Sequence, residues 1–350
     1  MLGSMRIHFV ARALAANWPD LHNLEERDIA AHAARFRGGI NNWIVQTYLR
    51  VKAPLAAAGM TLTIGEKFIP GCVNVAHRDS LNRLFTPYFR SFVVGIRADR
   101  SPVHWCDIEV VQNDLEPGRP RTHFLNFWPQ PGLIARDPSR GSRVERVAYF
   151  GRASNAPAWF FDPAWHAALA TMGMVFEIRD DRWFDYSDVD VVLAHRNEAP
   201  TMLRQKPASK LTNAWHAGTP ALLADEPAYA SLLRSSLDYV SIDSPADTLA
   251  WLRHLRASPD HYAAMVDNGR RRSVEFSIHA TKARWLRLLL DRAVPEATAW
   301  RAAQHGVVAT SLSHVTRAAR QKVAAKHFKL KVLRESRVEM GPDSLLGIPR

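Results

Sequence analysis

Cysteine is scarce in this sequence: only Cys72 and Cys106 occur among 350 residues. Two thiols cannot provide the disulfide framework that small secreted proteins need, and their spacing is not that of a Cys-x-x-Cys pair that binds zinc. The composition therefore favours a reducing compartment, and we expect a cytoplasmic protein.

Long apolar runs are also absent. Nowhere do about 18 apolar residues follow one another, so no membrane-spanning helix is predicted. The apolar stretch at the start is interrupted by Arg12, and no clear signal-peptide cleavage pattern follows it. We interpret residues 5–10 as a first buried strand and residues 1–4 as a cloning remnant, with Met5 as the natural start.

Several catalytic motifs are missing. The sequence has no G-x-S-x-G, no G-x-x-x-x-G-K-[ST], no G-x-G-x-x-G and no H-E-x-x-H. These absences argue against most serine hydrolases, P-loop enzymes, nicotinamide oxidoreductases and zinc proteases. An acidic cluster lies between residues 180 and 190, but its alternating aspartates are typical of a solvated turn at a strand start. We predict no catalytic metal and no cofactor.

What the sequence does contain is an ordinary globular balance with a strong positive charge. Hydrophobic residues make up 47% and charged residues 23%, and the length suits two domains. The formal net charge is +12, which implies an anionic partner: nucleotide phosphates, nucleic acid or an anionic membrane surface.

Apolar segments of strand length alternate with helical patterns twice along the chain. Such alternation predicts right-handed crossovers and parallel sheets, which is an α/β fold. The Pro-, Gly- and Arg-rich residues 128–143 separate the two series and are interpreted as a linker. The predicted domains are residues 5–135 and 144–290, followed by a basic helical segment over residues 291–350.

The segment around Lys206 to Pro220 is the most informative part of the second series. A strand ends near Arg196, a loop carries Lys206, and a helix is predicted to start near Ser209, whose hydroxyl is a plausible N-cap. A helix N-terminus presents free N–H groups and the positive end of the helix dipole, which suit a diphosphate, and Lys206 and Lys210 add cations there. The alternative is an ordinary helix of an α/β protein that ends in Gly-Thr-Pro before a strand, with lysines that are simply solvated.

The string K-L-x-N-A-x-x-x-G-x-P at residues 210–220 resembles the nucleotide-binding segment of GT-B glycosyltransferases. The strand at residues 147–152, VAYFGR, resembles the first strand of their C-terminal domain, and the WPQPGL and KPASKL…NAWHAG segments resemble an uncharacterised bacterial subgroup. The resemblance implies two Rossmann-like domains with parallel sheets that face a central cleft. It also implies an N-terminal acceptor-binding domain and a C-terminal domain that binds a nucleotide-sugar.

By the resemblance, Lys210 holds the donor diphosphate, Arg152 is a second phosphate ligand and Asn213 contacts ribose or sugar. Asn213 stands where many retaining members carry a glutamate. The whole predicted donor-binding set is Gly151, Arg152, Lys206, Ser209, Lys210, Leu211 and Asn213.

An inverting transferase also needs a general base, which in GT-B enzymes comes from the N-terminal domain. Ligands of open α/β sheets bind outside the carboxyl ends of the strands, so carboxylates there are candidates. Asp99 ranks first, because Arg97 and Arg100 would keep it ionised and could bind an anionic acceptor. Glu66 and Asp114 are the alternatives, and a structural turn residue is the plainer interpretation of all three.

The positive charge is concentrated near the C-terminus. Residues 317–337 carry eight Lys or Arg against Glu335 alone, and such a helix could lie on an anionic membrane or be a solvated terminal helix. The function implied is transfer of a sugar to a glycan or lipid-linked acceptor in bacterial surface polysaccharide or glycolipid synthesis. A basic nucleic-acid-binding protein is the alternative, although no zinc-finger, RRM or KH pattern supports it.

Overall fold

The computed structural model of the chain describes residues 5–36, 38–81, 90–115, 121–303 and 307–339. The supposed cloning remnant lies outside these residues. The chain divides into two compact units: Met1–Phe127 with Thr281–Arg350, and Trp128–Ala280. These limits differ from the predicted domains, since the supposed linker falls inside the second unit and the residues after 281 belong to the first. Within the described residues, no helix combines the length and apolar character needed to cross a membrane.

The first unit is built on a six-stranded sheet in which all neighbouring strands are parallel. The strand order is β2-β1-β3-β4-β5-β6. The strands are β1 (Arg6–Val10), β2 (Thr61–Gly65), β3 (Val73–His77), β4 (Phe92–Ile96), β5 (Ile108–Val111) and β6 (Thr122–Phe124). Strands buried on both faces read as continuous apolar runs, and β4 does so. The apolar patterns over residues 5–10, 61–68, 91–99 and 107–114 predicted strands that correspond to β1, β2, β4 and β5. Strands β3 and β6 were not predicted from the sequence.

Short helical segments and one long helix connect the early strands. Helix α1 (Leu14–Asn17) follows β1, and helix α2 (Gln46–Ala57) continues directly from a π-helical turn over Asn41–Val45. Gly59 follows α2 with φ +75°, a left-handed conformation that glycine adopts at no steric cost.

The second unit has a five-stranded, fully parallel sheet in the order β11-β10-β9-β7-β8. Its strands are β7 (Arg146–Phe150), β8 (Val175–Arg179), β9 (Val191–Ala194), β10 (Ala221–Leu223) and β11 (Val240–Ser241). Its helices are α3 (Pro163–Thr171), α4 (Pro200–Leu203), α5 (Ser209–Ala217), α6 (Pro227–Ala230), α7 (Pro245–Ala257) and α8 (Pro259–Ser273). All five strands of this unit follow the predicted order.

The segment expected as a linker is tied to the second unit by a buried carboxylate. Asp190 is fully buried and accepts hydrogen bonds from the guanidinium groups of Arg136 and Arg140 and from the backbone N–H groups of residues 145 and 146. One buried charge therefore joins the segment to the start of β7 and β9. Such a charge is stable only because it is fully paired and hydrogen-bonded.

Three further helices follow: α9 (Ile278–Arg287), α10 (Val294–Ala302) and α11 (Val307–Glu339). From Thr281 onward they belong to the first unit, and they contact the rest of it through several polar pairs. Lys282 Nζ lies 2.5 Å from a carboxylate oxygen of Glu26. On α11, Arg317 Nη1 lies 2.8 Å from Asp107 Oδ1, and Gln321 exchanges hydrogen bonds with the backbone of residues 102 and 104.

Candidate active site

The second sheet reverses its winding beside its first strand. From β7 the chain passes to β8 on one side and then crosses to β9 on the other side. Ligands of open α/β sheets bind outside the carboxyl ends of the strands at such a switch point. The residues that follow β7 and β9 are Gly151 and Arg152, and His195 and Arg196. The donor-binding candidates after β7 therefore lie where the topology favours a ligand.

Two ion pairs lie at this edge of the sheet. The Arg196 guanidinium, almost fully buried, donates to Oε2 of Glu226, whose residue is 1% exposed. Lys206 Nζ lies 2.7 Å from Glu198 Oε2. The lysine that the sequence offered as a second free cation is thus already engaged with a carboxylate. The sequence analysis assigned no role to Glu198 or Glu226, because each follows a strand in an irregular loop without a recognisable motif.

Lys210 differs from its neighbours because no carboxylate lies within 4.0 Å of its Nζ among the described residues. It is half-buried, and Nζ lies over the ring of Tyr149, 4.9 Å from the centroid. Burial lowers the pKa of Lys210 well below its ordinary value, and the nearby Arg196 cation lowers it further, while Glu226 and Glu198 oppose this. An anion placed at Nζ would favour the protonated form and raise this pKa.

Helix α5 leaves its first N–H groups without a cap. The N-cap residue is Ala208, which makes no side-chain cap hydrogen bond, and the N–H of Thr212 donates to its carbonyl at 3.0 Å. Ser209 is therefore the first helical residue, and its prediction as the N-cap is wrong. The uncapped terminus adds N–H donors and the positive end of a dipole beside Lys210.

The end of β7 allows close approach to the backbone. A Cβ on Gly151 would lie 2.9 Å from the hydroxyl oxygen of Tyr149, so only glycine fits without displacement of that ring. The backbone N–H of Gly151 donates to the carbonyl of Arg179 at 3.1 Å. Arg152 follows with an exposed side chain that makes no ion pair with any described residue. Its role as a second phosphate ligand stays a prediction.

The remaining two donor-binding candidates are buried. Leu211 is fully buried in the core of the unit, so its backbone N–H is the only polar group it offers. Asn213 is 7% exposed, and its Oδ1 accepts a hydrogen bond from the N–H of Gln130 at 3.2 Å. It also bonds the hydroxyl of Tyr186. Asn213 thus has partners within its own unit, and its contact with ribose or sugar stays a prediction.

Buried polar atoms with unused hydrogen-bonding capacity surround this cluster. Among the described residues, Oε1 of Glu198, Oε1 of Glu226, the hydroxyl of Tyr229 and Nδ1 of His195 have no hydrogen-bond partner. Most buried polar side-chain atoms in folded proteins are satisfied, so a group of such atoms beside one cluster needs an explanation. A polar ligand at this edge of the sheet would provide partners for them.

The first sheet has a switch point of its own between β1 and β3, since β2 and β3 flank β1 on opposite sides. His77 ends β3 there and is almost fully buried. Its Nδ1 accepts a hydrogen bond from the N–H of Asp79, and burial lowers its pKa to about 4. The neutral ring therefore carries its proton on Nε2. That atom has no hydrogen-bond partner among the described residues, and a Cβ on Gly39 would lie 2.5 Å from it.

Hydrogen bonds and ion pairs connect Asp99, the predicted base, to His77. Arg100 donates to both carboxylate oxygens of Asp79 at 2.9 and 3.0 Å and to Asp99 Oδ1 at 3.0 Å. Burial opposes ionisation of Asp79, but the bonds from Arg100 outweigh it and lower the pKa of that carboxyl. Arg97, expected to bind an acceptor, is 2% exposed and donates through Nε to the carbonyl of Arg100.

The two alternative bases are not part of this network. Oε1 of Glu66 accepts a hydrogen bond from the N–H of Ala15 at 3.1 Å, which ties it to helix α1. Asp114 is exposed and pairs with no described residue. The sequence analysis missed His77 because it missed β3. It interpreted Gly38 and Gly39 as a simple loop.

The acidic cluster is occupied by basic and hydroxyl partners. Asp188 pairs with Arg179 at 2.6 Å, Asp185 accepts from the hydroxyl of Ser187 at 2.7 Å, and Asp190 holds the two arginines described above. Over the part of the chain that the structure describes, no group of three His, Cys, Asp or Glu side chains is arranged to hold a metal ion. The metal-free site stays a prediction.

The fold is similar to that of several solved structures, at low sequence identity. Anabaena HepE in complex with UDP is 11% identical with a TM-score of 0.51, over 82% of this chain and all of that one. AviGT4, a glycosyltransferase of avilamycin A biosynthesis, is 12% identical with a TM-score of 0.51, over 83% and 98%. A glycosyltransferase from Rickettsia africae is 7% identical with a TM-score of 0.50, over 85% and 99%.

No protein-family model matches the chain, and no curated protein matches it by sequence. The similarity to solved structures, together with two parallel α/β sheets, confirms the expected GT-B fold class. The central cleft of that expectation stays a prediction.

Proposed function

We propose that this protein is a glycosyltransferase that takes a sugar from a nucleotide-sugar donor, whose diphosphate binds at the carboxyl edge of the second sheet. The observation that carries the proposal is Lys210, a half-buried lysine with no carboxylate partner among the described residues, at the uncapped start of α5 and beside the switch point. Two of the solved structures of similar fold, AviGT4 and the Rickettsia africae protein, are described as glycosyltransferases, and HepE was solved with UDP, which supports this assignment.

The cluster suits the chemistry of a departing nucleoside diphosphate. Negative charge develops on the phosphate oxygen that loses the sugar, and cations fixed in a partly dry site stabilise that charge more than water does. Lys210 and the N–H groups of Ser209 and Leu211 are the donors for it. Gly151 lets the ligand approach the backbone, and Arg152, Lys206 and Asn213 complete the proposed donor set. No metal takes part in this proposal.

On the first unit, Asp99 is the proposed general base and Arg100 the proposed acceptor contact. Asp99 is partly exposed and held by Arg100 at 3.0 Å, which orients the carboxylate for the role of a base. His77 is the wrong species for that role, because its Nε2 carries a proton at neutral pH and donates instead of accepting. We assign it to orient a hydroxyl of the bound ligand. Arg97 holds the backbone next to Asp99 in place, because its Nε donates a hydrogen bond to the carbonyl of Arg100.

The acceptor that we propose is a glycan or lipid-linked molecule of bacterial surface polysaccharide or glycolipid synthesis, reached at an anionic membrane surface. Helix α11 supports this choice. Five of its aliphatic side chains are 46–67% exposed, and at 100° per residue they fall within about 80° of the helix circumference. They are Leu312, Val315, Val323, Leu330 and Leu333. We call them the aliphatic stripe of α11.

Basic residues flank the aliphatic stripe on both sides. Lys322 and Lys329 lie on one side of it and Arg320 and Lys331 on the other. A helix with exposed aliphatic side chains between cations binds an anionic bilayer in its plane. This pattern favours a membrane surface over nucleic acid, which would leave the aliphatic side chains in water.

Vesicle sedimentation tests the membrane contact. The protein should bind vesicles that contain an anionic lipid at low salt and leave them at high salt, because salt screens surface charge. The double variant Lys322→Gln/Lys329→Gln should bind weakly. Its matched control, Arg253→Gln/Arg271→Gln, removes the same charge from exposed positions of the second unit and should bind normally. Equal loss in both variants would leave net charge alone as the cause and contradict the assignment to α11.

A thermal-shift screen tests the donor. UDP, GDP, dTDP, ADP and CMP are compared at equal concentration, because a ligand that binds only the folded state must raise its melting temperature. We expect one nucleoside diphosphate to give the largest shift and Lys210→Ala to abolish that shift. If none of the five stabilises the protein, the proposed donor site is wrong.

A further inference from the structure

The first unit contains a cavity that sugar transfer does not use. It has a volume of about 790 Å³ and lies between helix α11 and strands β5 and β6. Cavities of roughly 300–1,000 Å³ are typical of small-molecule sites. None of its lining residues belongs to the clusters at the two switch points, so its function is a separate question.

The cavity combines apolar walls with two unpaired cations. Val103 and Cys106 form a buried part of its wall, and Leu312 lies exposed at its mouth. Arg121 and Arg320 also line it, both are exposed, and neither pairs with a carboxylate of the described residues. Since a guanidinium forks around phosphate or carboxylate, the lining fits a molecule with an anionic group and an apolar part.

The other charged residues of the lining are already satisfied. Arg317 is paired with Asp107 at 2.8 Å. Glu109 is 5% exposed, and its two oxygens accept from the N–H of Val103 at 2.7 Å and the hydroxyl of Thr122 at 3.2 Å. Among the described residues, the lining cations that pair with no carboxylate are therefore Arg121 and Arg320, and their charge is the one that remains for a ligand.

The mouth of the cavity adjoins the aliphatic stripe of α11. Leu312, Thr316 and Arg320 all line the cavity, and their spacing of four residues places them in one row along the helix. Leu312 is also the first residue of the stripe. A bilayer that contacts the stripe would therefore meet the cavity at Leu312, and the arginine side of the cavity would face the level of the phosphate groups.

We propose that this cavity binds one anionic membrane phospholipid, with its phosphate between Arg121 and Arg320 and an acyl chain against Val103, Cys106 and Leu312. The inference does not depend on sugar transfer. It depends on the membrane contact only for the source of the lipid. A soluble short-chain lipid below its micelle concentration tests the cavity without a bilayer, so failure here and failure of vesicle binding are distinguishable.

The experiment is calorimetric titration of the full chain with dihexanoyl phosphatidylglycerol. The wild-type protein should bind one molecule, and dihexanoyl phosphatidylcholine should bind about tenfold more weakly or worse, because it carries no net negative charge for the arginines. The variant Arg121→Gln/Arg320→Gln should lose about tenfold or more in affinity for the anionic lipid. Thr316→Trp, which fills the cavity from the exposed helix face, should abolish binding without removing charge.

The matched control is Lys322→Gln/Lys329→Gln, which removes the same charge from α11 on the other side of the aliphatic stripe. It should bind the short-chain lipid as the wild type does. Unchanged affinity in the double arginine variant, or an equal loss in the lysine control, would overturn the proposal. So would equal affinity for the two lipids, or for inorganic phosphate alone.

Discussion

The two switch points carry polar clusters of different electrical character. In the second unit, Arg196 and Lys206 are neutralised by Glu226 and Glu198, and Lys210 has no carboxylate partner among the described residues. In the first unit, the buried group is a neutral imidazole, His77, whose pKa of about 4 keeps it uncharged at neutral pH. The charged groups of that cluster, Asp79, Asp99 and Arg100, are partly exposed.

This difference indicates that the two clusters suit different kinds of ligand. A partly buried cation with a lowered pKa gains most from a ligand that brings its own negative charge, such as a diphosphate. A neutral N–H donor beside a carboxylate suits a hydroxyl group. The N–H orients the hydroxyl, and the carboxylate takes up its proton. The second unit therefore fits an anionic donor and the first an uncharged hydroxyl of the acceptor.

The largest expected effect concerns Asp99, the proposed general base of the first unit. Asp99→Asn should lower the rate of transfer about 10²–10⁴-fold, because general-base catalysis contributes that much, while donor affinity stays the same. The measurement is turnover with the donor identified by the thermal-shift screen. Asp114→Asn, an exposed carboxylate after β5, is the matched control and should turn over normally. Near-normal turnover of Asp99→Asn would contradict this assignment. The base would then be Asp79, or the reaction would need no general base.

The next effect concerns stability in the second unit. Glu226→Gln leaves the buried Arg196 without its counter-charge and should lower the free energy of unfolding by about 3–5 kcal/mol. Glu25→Gln breaks the exposed pair with Lys52 in the first unit and should cost at most about 1 kcal/mol. Urea denaturation followed by circular dichroism compares them. An equal decrease in the free energy of unfolding in the two variants would contradict the claim that the buried pair in the second unit is more stabilising than an exposed pair.

A smaller effect is a pH dependence of donor binding. The pKa of Lys210 is lowered in the free protein, and a bound diphosphate should raise it, so binding takes up protons between the two pKa values. Affinity should therefore weaken as pH rises through that window, by up to about tenfold per pH unit. Calorimetry at pH 8 in buffers of different ionisation enthalpy measures the uptake. Lys210→Ala should abolish it, and an unchanged proton uptake in that variant would assign the proton to another group.

The sequence predicted the second unit better than the first for a physical reason. The strands of the second unit are apolar runs closed by clear breakers, such as Gly151, and helix α5 ends at Gly218 in the left-handed conformation. In the first unit, β3 carries Asn74 and His77, both buried through specific partners instead of apolar character. A pattern of hydrophobicity does not detect such a strand, so His77 was missed with it.

Partners from distant parts of the chain also could not be predicted. Lys206 stands four residues before Lys210 and resembles it in sequence, yet Glu198 neutralises only the first of the two. Ser209 is a favourable N-cap residue, but the N-cap position falls one residue earlier, at Ala208, so Ser209 is the first residue of the helix. The residues of the aliphatic stripe alternate with lysines in the sequence, and only the helical geometry places them on one face.

The most direct test of the central claim, a diphosphate site at the start of α5, is calorimetric titration of the best nucleoside diphosphate into wild type and Lys210→Ala. Loss of one charge-assisted hydrogen bond should weaken binding by about 1.5–3 kcal/mol, which is roughly 10- to 150-fold. Lys206→Ala should weaken it less, since Glu198 already holds that lysine. Unchanged affinity in Lys210→Ala, with an intact fold by circular dichroism, would contradict the account.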